Sequence, residues 1–341
     1  MLAVPGFSSP WPNAVEAKVE EFDCLFGAAF DYYFRQSTSG NPPEEVPLFR
    51  SMQDAFERMS RHFYVEEYHG QVSQVEFAPP THDEYDWARS SPQCELADLL
   101  IVAFRTGKNP SIRLTLLQAK SERNRRTPHL DDRPWFKANM EQWDLLSRRP
   151  PIEGAFSTFN PPRSLLADAL LPSVGTFGFF YRNHGQDDYH LYYGRAESFN
   201  PTYNYSTRYG GRLKVSNTQL AAQKHGFTEA CLAPDTPEFG ALMNAQLIGT
   251  PIHAEADPYS STSWIVRRWL LSLVRSAVEE RRREIGDEGI EVGEFFLETF
   301  GDGEDIIEDE IRRFAPGTKS LVLIKTNGKF RTLPPEILAR L

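Results

Sequence analysis

The stretch ELADLLIVAFRTGKNPSIRLTLLQAK, residues 95–120, decides the fold that this sequence predicts. It contains two strongly apolar runs, 98–104 and 112–120, which are separated by the turn Gly-Lys-Asn-Pro at residues 107–110. Runs of this length and composition are typical of strands that are buried on both faces of a sheet. Because such a turn joins antiparallel neighbours, we expect a buried hairpin whose open ends lie side by side.

Polar side chains stand at the open end of this hairpin. Asp98 begins the first run, and Gln118 and Lys120 end the second. Residues two apart lie on the same face of a strand, and buried polar groups cost free energy unless they have partners. A carboxylate, an amide oxygen and an ammonium group that converge in this way suit Mg²⁺ and an activated water, because Mg²⁺ prefers oxygen ligands and keeps several waters.

These residues resemble the PD-(D/E)xK nuclease superfamily, in a variant in which Gln118-Ala119-Lys120 carries the signature. The order of elements in residues 13–195 is similar as well: a leading helix, a hairpin with the acid and the lysine, a following helix and a further strand. The resemblance implies an α/β, restriction-endonuclease-like fold with a mixed central β-sheet flanked by helices. It also implies Mg²⁺-dependent hydrolysis of phosphodiester bonds in DNA, with Mn²⁺ as a substitute metal.

The resemblance implies roles for single residues too. Asp98 is the expected central metal ligand, and Lys120 is expected to position the water that attacks the phosphate. The side chain of Gln118 and the carbonyl of Ala119 complete the expected metal site. Since Gln118 replaces the usual acid and supplies less charge, we expect one metal ion at this site and not two.

Two further acids enter the expected site. The superfamily's proline-aspartate pair is absent because Ala97 precedes Asp98, and Glu95 is expected to serve in its place as a further catalytic residue. A glutamate on the first helix adds a metal ligand in some members. Glu20 and Glu21 both stand at that position, and the sequence does not choose between them.

Neutral Gln118 also favours an alternative of a different class. A nuclease-like module that has lost its catalytic activity would serve as a nucleic-acid-binding or assembly subunit. The two hypotheses differ in whether the hairpin end binds Mg²⁺.

The formal net charge of this 341-residue chain is −10, from 37 Lys and Arg against 47 Asp and Glu. Such a charge argues against a protein that coats nucleic acid by bulk attraction. However, residues 287–310 contain eleven acids and no Lys or Arg, so the rest of the chain carries −10 + 11 = +1. We interpret this acidic segment as an assembly surface, a phosphate mimic that covers a basic site, or an ordinary solvated face.

Basic residues follow the hairpin, where a phosphate backbone would have to lie next to the metal. They are expected to bind nucleic acid, although a solvated charged loop is an equal alternative: Arg123, Arg125, Arg126, Arg133 and Lys137. Tyrosines and arginines alternate between residues 189 and 212, a pattern that suits either base stacking or cross-strand packing.

The remaining predictions concern organisation and location. We expect a nuclease-like core with N-terminal helices in residues 1–215 and a mainly helical C-terminal region in residues 216–341. Three scattered cysteines, no visible signal peptide and no membrane span favour a cytoplasmic protein. DNA is the expected partner ahead of RNA, and a homodimer or a partner protein of a prokaryotic restriction or anti-phage defence system is implied by the resemblance alone.

Local patterns predict the other elements, as follows: helices at 13–34, 48–63, 135–146 and 264–285, and strands at 174–182, 189–195 and 319–326.

Overall fold

The computed structural model describes residues 19, 21–39, 44–59, 63–67, 74–80, 90–108, 110–121, 135–156, 161–182, 188–202, 211–215, 229–252, 261–287, 289–301 and 320–326. The helices in these ranges are α1 (Glu21–Thr38), α2 (Glu45–Arg58), α3 (Met140–Arg148), α4 (Thr236–Asn244), α5 (Ser261–Ile285) and α6 (Glu291–Phe300). None of these described helices is both long enough and apolar enough to cross a membrane.

Fourteen strands occur in the same ranges: β1 (Phe63–Glu67), β2 (Gln74–Phe77), β3 (Gln93–Glu95), β4 (Leu99–Arg105), β5 (Ser111–Ser121), β6 (Trp135–Ala138), β7 (Ile152–Gly154), β8 (Gly175–Arg182), β9 (Tyr189–Arg195), β10 (Phe199–Pro201), β11 (Gly211–Val215), β12 (Leu232–Ala233), β13 (Thr250–Ile252) and β14 (Ser320–Lys325).

The central sheet is mixed and has eight strands. Seven of them follow the order β1-β14-β4-β5-β8-β9-β12, and β13 pairs with β5 outside this path. β14 runs parallel to β4 and β8 runs parallel to β5, while β4 and β5 are antiparallel. Strands β10-β11-β6 and β3-β2-β7 form two additional three-stranded sheets.

The strand β5 is the axis of the central sheet. One of its edges pairs with β4 over residues 111–117, so the predicted antiparallel hairpin is confirmed. It also pairs with β13 at residues 112–114 and with β8 at residues 116–121. Helices pack on both faces of the sheet, so the apolar run of β5 is buried on both, with Leu116 and Leu117 fully buried in opposite cores.

Helices cover both faces of the sheet, as predicted. The first core joins the even-numbered side chains of β4 and β5 to α3, α5 and α6, with Trp269 and Phe296 among its fully buried residues. The second core joins the odd-numbered side chains to α1, α2 and α4, with Phe30 and Phe239 among its fully buried residues. The architecture is therefore a three-layer α/β fold with a mixed central sheet.

The helices α1 and α4 are held close together. A Cβ atom on Gly27 would lie 2.1 Å from the carbonyl oxygen of Pro237, so only glycine allows this approach. The amide of Asn244 donates to the buried carboxylate of Asp23 at 2.7 Å. The N-terminal turn of α1 is consequently fixed against α4.

The helix predicted at 135–146 is wrong in its first four residues, which form β6. Lys137 is exposed between the buried side chains of Phe136 and Ala138, which is the period of a half-buried strand. The helix α3 begins only after Asn139, whose side chain accepts a hydrogen bond from the backbone N–H of Glu141 at 3.0 Å.

The described residues of 216–341 are not separate from the central sheet. They contribute β12, β13 and β14 to the central sheet, and β14 lies between β1 and β4. The helices α4, α5 and α6 also supply residues to the same two cores. The predicted boundary after residue 215 therefore cuts through the central sheet, because the sequence pattern did not indicate which strands would pair.

The acidic segment contains a helix that packs on the core. Ile290, Phe296 and Phe300 of this segment are buried, and the rings of Phe296 and Phe300 lie 5.1 Å and 6.0 Å from that of Phe104. Its described acids Asp287, Glu291 and Glu298 are exposed and Glu294 is half-exposed, while Glu288 and residues 302–310 lie outside the described ranges. In the described part, the acidic segment is an amphipathic helix and its flanks.

Candidate active site

The hairpin β4–β5 brings the predicted polar residues to one level of the sheet. Leu99 pairs with Leu117, so Asp98 and Gln118 lie opposite each other one step beyond this pair. The backbone N–H of Asp98 donates to the carbonyl of Leu117 at 3.1 Å. Tertiary pairing thus positions both side chains, as the sequence predicts.

The carboxylate of Asp98 is bound by its neighbours on β5. Its Oδ2 atom accepts hydrogen bonds from Nε2 of Gln118 and from the backbone N–H of Ala119, the latter at 2.9 Å. Asp98 and Gln118 are only 4% and 1% exposed, so water contributes little to their solvation. We call Asp98, Gln118 and Ala119 the Asp98 cluster.

The amide of Gln118 can be oriented in only one way beside this acid. An ionised carboxylate only accepts hydrogen bonds, so the amide must turn its nitrogen towards Asp98. Its Oε1 atom is buried and has no hydrogen-bond partner among the described residues. An acceptor in this position is costly unless a cation or a donor occupies the space beside it.

Lys120 stands two residues beyond Gln118 on β5. Its Nζ atom forms an ion pair with Oε1 of Glu45 at 3.3 Å, and the two side chains are 13% and 39% exposed. Glu45 is the first residue of α2, which packs on β5. The ammonium group is therefore held by the first turn of α2, near the end of β5 and on the side where solvent reaches Glu45.

The other two predicted acids lie in different elements. Glu95 ends β3 and pairs with Gln74 in the β3-β2-β7 sheet. Glu21 is exposed at the start of α1, which is fixed against α4, and Glu20 lies outside the described residues. The helical carboxylate that the structure brings to Lys120 is Glu45 of the second helix.

Sequence reasoning missed Glu45 because its role depends on how α2 packs on the sheet. It lies three residues before the predicted helix at 48–63, whereas α2 begins at Glu45 itself. The pairing with Lys120 joins residues 75 positions apart and has no local signal.

The predicted basic residues are only partly described. Arg123, Arg125, Arg126 and Arg133 lie outside the described ranges. Lys137 is exposed on β6, where it pairs in register with Arg212 of β11. Arg212-Leu213-Lys214 alternates as a half-buried strand does, and this signal would have added Arg212 and Lys214 to the predicted set.

The donor set of the Asp98 cluster suits one hard cation. It contains one carboxylate and one buried amide oxygen without a donor, both of which are oxygen ligands. Among the described residues, no three His, Cys, Asp or Glu side chains lie close enough together to hold a metal ion. The described residues therefore offer single oxygen ligands of the kind that Mg²⁺ takes, and they do not supply the acids of a two-metal site.

Comparison of the chain with protein-family models, with curated proteins and with solved structures finds no match.

Proposed function

We propose that this chain is a Mg²⁺-dependent DNA endonuclease with a restriction-endonuclease-like fold, active in prokaryotic restriction or anti-phage defence. The observation that supports the proposal is the hydrogen-bonded pair of Asp98 and Gln118 at the open end of one buried hairpin, with Lys120 two residues further along β5. Burying such a group of polar side chains in a core costs free energy, so its presence calls for a functional explanation. Phosphodiester hydrolysis supplies one, because it requires a cation, a positioned water and a positive charge near the phosphate.

The residues that would hold Mg²⁺ or Mn²⁺ are Asp98, Gln118 and Ala119. Asp98 supplies the charge, and Oε1 of Gln118 supplies an oxygen that has no other partner among the described residues. When bound, the ion offsets phosphate charge and lowers the pKa of a coordinated water. The amide nitrogen of Gln118 and the N–H of Ala119 meanwhile fix the orientation of the carboxylate.

Lys120 acts on the phosphate and the attacking water. Its ammonium group is held by Glu45 at the margin of the site, where a bound phosphate competes with the carboxylate for the same charge. Because Glu45 is partly exposed, this competition costs little desolvation. Glu45 is therefore a positioning residue that keeps Lys120 near the site in the absence of substrate.

The proposal predicts metal-dependent cleavage by the purified full chain. Supercoiled plasmid is expected to be nicked or linearised with Mg²⁺ or Mn²⁺ and to stay intact with EDTA. The substitution Asp98→Asn keeps the shape but removes the only acid of the Asp98 cluster, so the rate is expected to fall about 100-fold or more. Agarose gels of time courses measure the rate, and Asp168→Asn on the exposed surface is the matched control.

Cleavage that persists at full rate in Asp98→Asn contradicts the assignment of the site. Absence of metal-dependent cleavage by the wild-type chain on plasmid, single-stranded DNA and RNA contradicts the nuclease proposal itself. Calorimetric titration with Mg²⁺ accompanies both assays, since it reports on the site without requiring turnover.

One observation favours a second function, a nuclease-like module that binds or assembles without catalysis. The carboxylate of Asp98 already accepts two hydrogen bonds from β5, so the hairpin end is held together by hydrogen bonds alone. In this case the Asp98 cluster is a structural clamp that joins two strands. Lys120 then has only a structural role, as the partner of Glu45 in an ion pair.

The substitution Gln118→Glu distinguishes these two functions. It places a second carboxylate against Asp98, so the metal-free protein is expected to melt at a lower temperature because the buried charges repel. For a nuclease, Mg²⁺ restores the melting temperature, and metal affinity rises about tenfold or more, in line with one added charged ligand. For a structural clamp, the lowered melting temperature of Gln118→Glu persists at every Mg²⁺ concentration.

The matched control is Gln246→Glu, which introduces the same charge at the opposite end of the same hairpin. Gln246 is buried, accepts from the hydroxyl of Ser111 at 2.7 Å and donates to the carbonyl of Ala103 at 3.4 Å. This variant is expected to lose stability without any dependence on Mg²⁺. Thermal denaturation and calorimetry of both variants, in parallel, give the comparison.

A further inference from the structure

The outer face of the β10-β11-β6 sheet is basic. Buried Phe136, Leu213 and Phe199 form its inner face, and the alternate residues point outwards. The cations Lys137, Arg212 and Lys214 stand on this outer face, with Lys137 directly opposite Arg212. None of the described residues of these three strands is acidic, so these residues of the strands contribute a formal charge of +3.

One of these cations is ordered by an aromatic ring. The guanidinium carbon of Arg212 lies 3.9 Å from the centroid of the Trp135 ring, which is a cation–π stack. Two hydrogen bonds from Thr202, through its N–H at 2.8 Å and its hydroxyl at 3.1 Å, fix the carbonyl of Arg212. A stacked guanidinium loses less freedom when it binds an oxyanion, so it is a preorganised phosphate ligand.

The sheet that carries the basic face packs on the part of the central sheet that holds the candidate active site. The inner face of its sheet packs on β8, where the ring of Phe136 lies 5.2 Å from that of Phe179 and 5.9 Å from that of Phe177. In β8, Phe177 pairs with Gln118 and Phe179 pairs with Lys120. The small sheet and the phenylalanines of its inner face therefore lie between the basic face and the strands β8 and β5.

We infer that this basic face, defined by Trp135, Lys137, Arg212 and Lys214, binds the phosphate backbone of DNA. The inference deepens the proposed function, on which the choice of DNA as the polyanion rests. Arg212 and Lys214 are two residues apart on one strand, about 7 Å, which is close to the rise of two nucleotides along a DNA strand. Because Arg212 covers a face of the Trp135 ring, the contact is with phosphates and does not read base sequence.

The test measures binding without turnover. A fluorescein-labelled 30-base-pair duplex and its single strand are titrated in EDTA at several NaCl concentrations, and anisotropy gives the dissociation constant. The triple variant Lys137→Gln, Arg212→Gln, Lys214→Gln is expected to bind the duplex about 100-fold more weakly near 0.1 M salt. The slope of log K against log salt is expected to become shallower by about 2.7, since each lost phosphate contact removes about 0.9.

A second triple variant tests whether binding depends on where the three positive charges are removed or only on how many are removed. Lys108→Gln, Arg163→Gln and Arg283→Gln remove the same charge from exposed positions on other elements and are expected to keep nearly wild-type binding. The single variant Arg212→Lys keeps the charge but loses the stack on Trp135. It is expected to weaken binding while the salt slope stays unchanged.

Equal affinity and slope in the wild type and the first triple variant would overturn the inference, as would an equal loss in the control triple or no binding by the wild type. Circular dichroism checks that each variant is folded. The outcome is independent of catalysis: binding through this face without cleavage refutes only the nuclease proposal. Cleavage at an unchanged rate and KM in the first triple variant refutes only the role of the face.

Discussion

Replacing Lys120 by methionine is expected to abolish cleavage while the protein stays folded. Methionine keeps the length of the side chain, and the lost ion pair with Glu45 is partly exposed, so it costs at most about 1 kcal/mol of stability. The lost ammonium group positions the water and the phosphate, a role that contributes about 10²- to 10⁴-fold to the rate. Initial rates of plasmid nicking and the melting temperature are the two measurements.

The matched control for this prediction lies at the other end of the same hairpin. Lys108 is exposed in the turn between β4 and β5, and Lys108→Met is expected to cleave at the wild-type rate. Glu45→Gln is expected to lower the rate only a few-fold, because Lys120 keeps its charge but loses the ion pair that positions it. If Lys120→Met cleaves as fast as the wild type, Lys120 has no part in catalysis.

Breaking the buried pair of Arg195 and Glu229 is expected to destabilise the fold by about 3–5 kcal/mol. The two side chains are 2% and 3% exposed, and Oε2 of Glu229 also accepts from the backbone N–H of Ser173 at 3.3 Å. Burial lowers the pKa of Arg195, but interactions with Cys231, Glu229 and Glu197 outweigh it and hold the pKa above its ordinary value. Arg195→Met leaves the Glu229 charge buried without its cation.

Urea denaturation followed by tryptophan fluorescence measures this loss. The double variant Arg195→Met, Glu229→Leu removes both charges and is expected to recover most of the stability. Arg282→Met is the control: Arg282 is 44% exposed and pairs with Asp287 at 3.0 Å and with Glu294. Its loss is expected to cost no more than about 1 kcal/mol, and an equal cost at both sites contradicts the special role of burial.

Much of the candidate site could be predicted because its information is local. Continuous apolar runs on either side of a Gly-Lys-Asn-Pro turn specify a buried hairpin, and register then places Asp98 opposite Gln118. The local pattern, two strand-like runs on either side of a turn, also located β8 and β9 within one residue of their bounds. The hydrogen bonds within the Asp98 cluster follow from these backbone positions.

The rest depended on contacts between distant segments. The strand at 319–326 was predicted, but its place between β1 and β4 depends on complementary packing and not on its own pattern. The same holds for Glu45, which meets Lys120 only because α2 packs on β5. The apolar face of α6 was not predicted from the acidic segment 287–310, because a count of charges does not show on which side of a helix each residue lies.

The position of β14 has a consequence for the order in which the protein forms. Leu321 pairs with Leu100, 321 − 100 = 221 residues away, and β14 separates β4 from β1. A ribosome that adds about 5–20 residues per second needs at least about ten seconds to make the intervening chain. During that interval the hairpin of the candidate site exists with one open edge, which is a surface for mispairing or for a chaperone. Catalytic competence is therefore expected to appear late in synthesis, after residue 325 has left the ribosome.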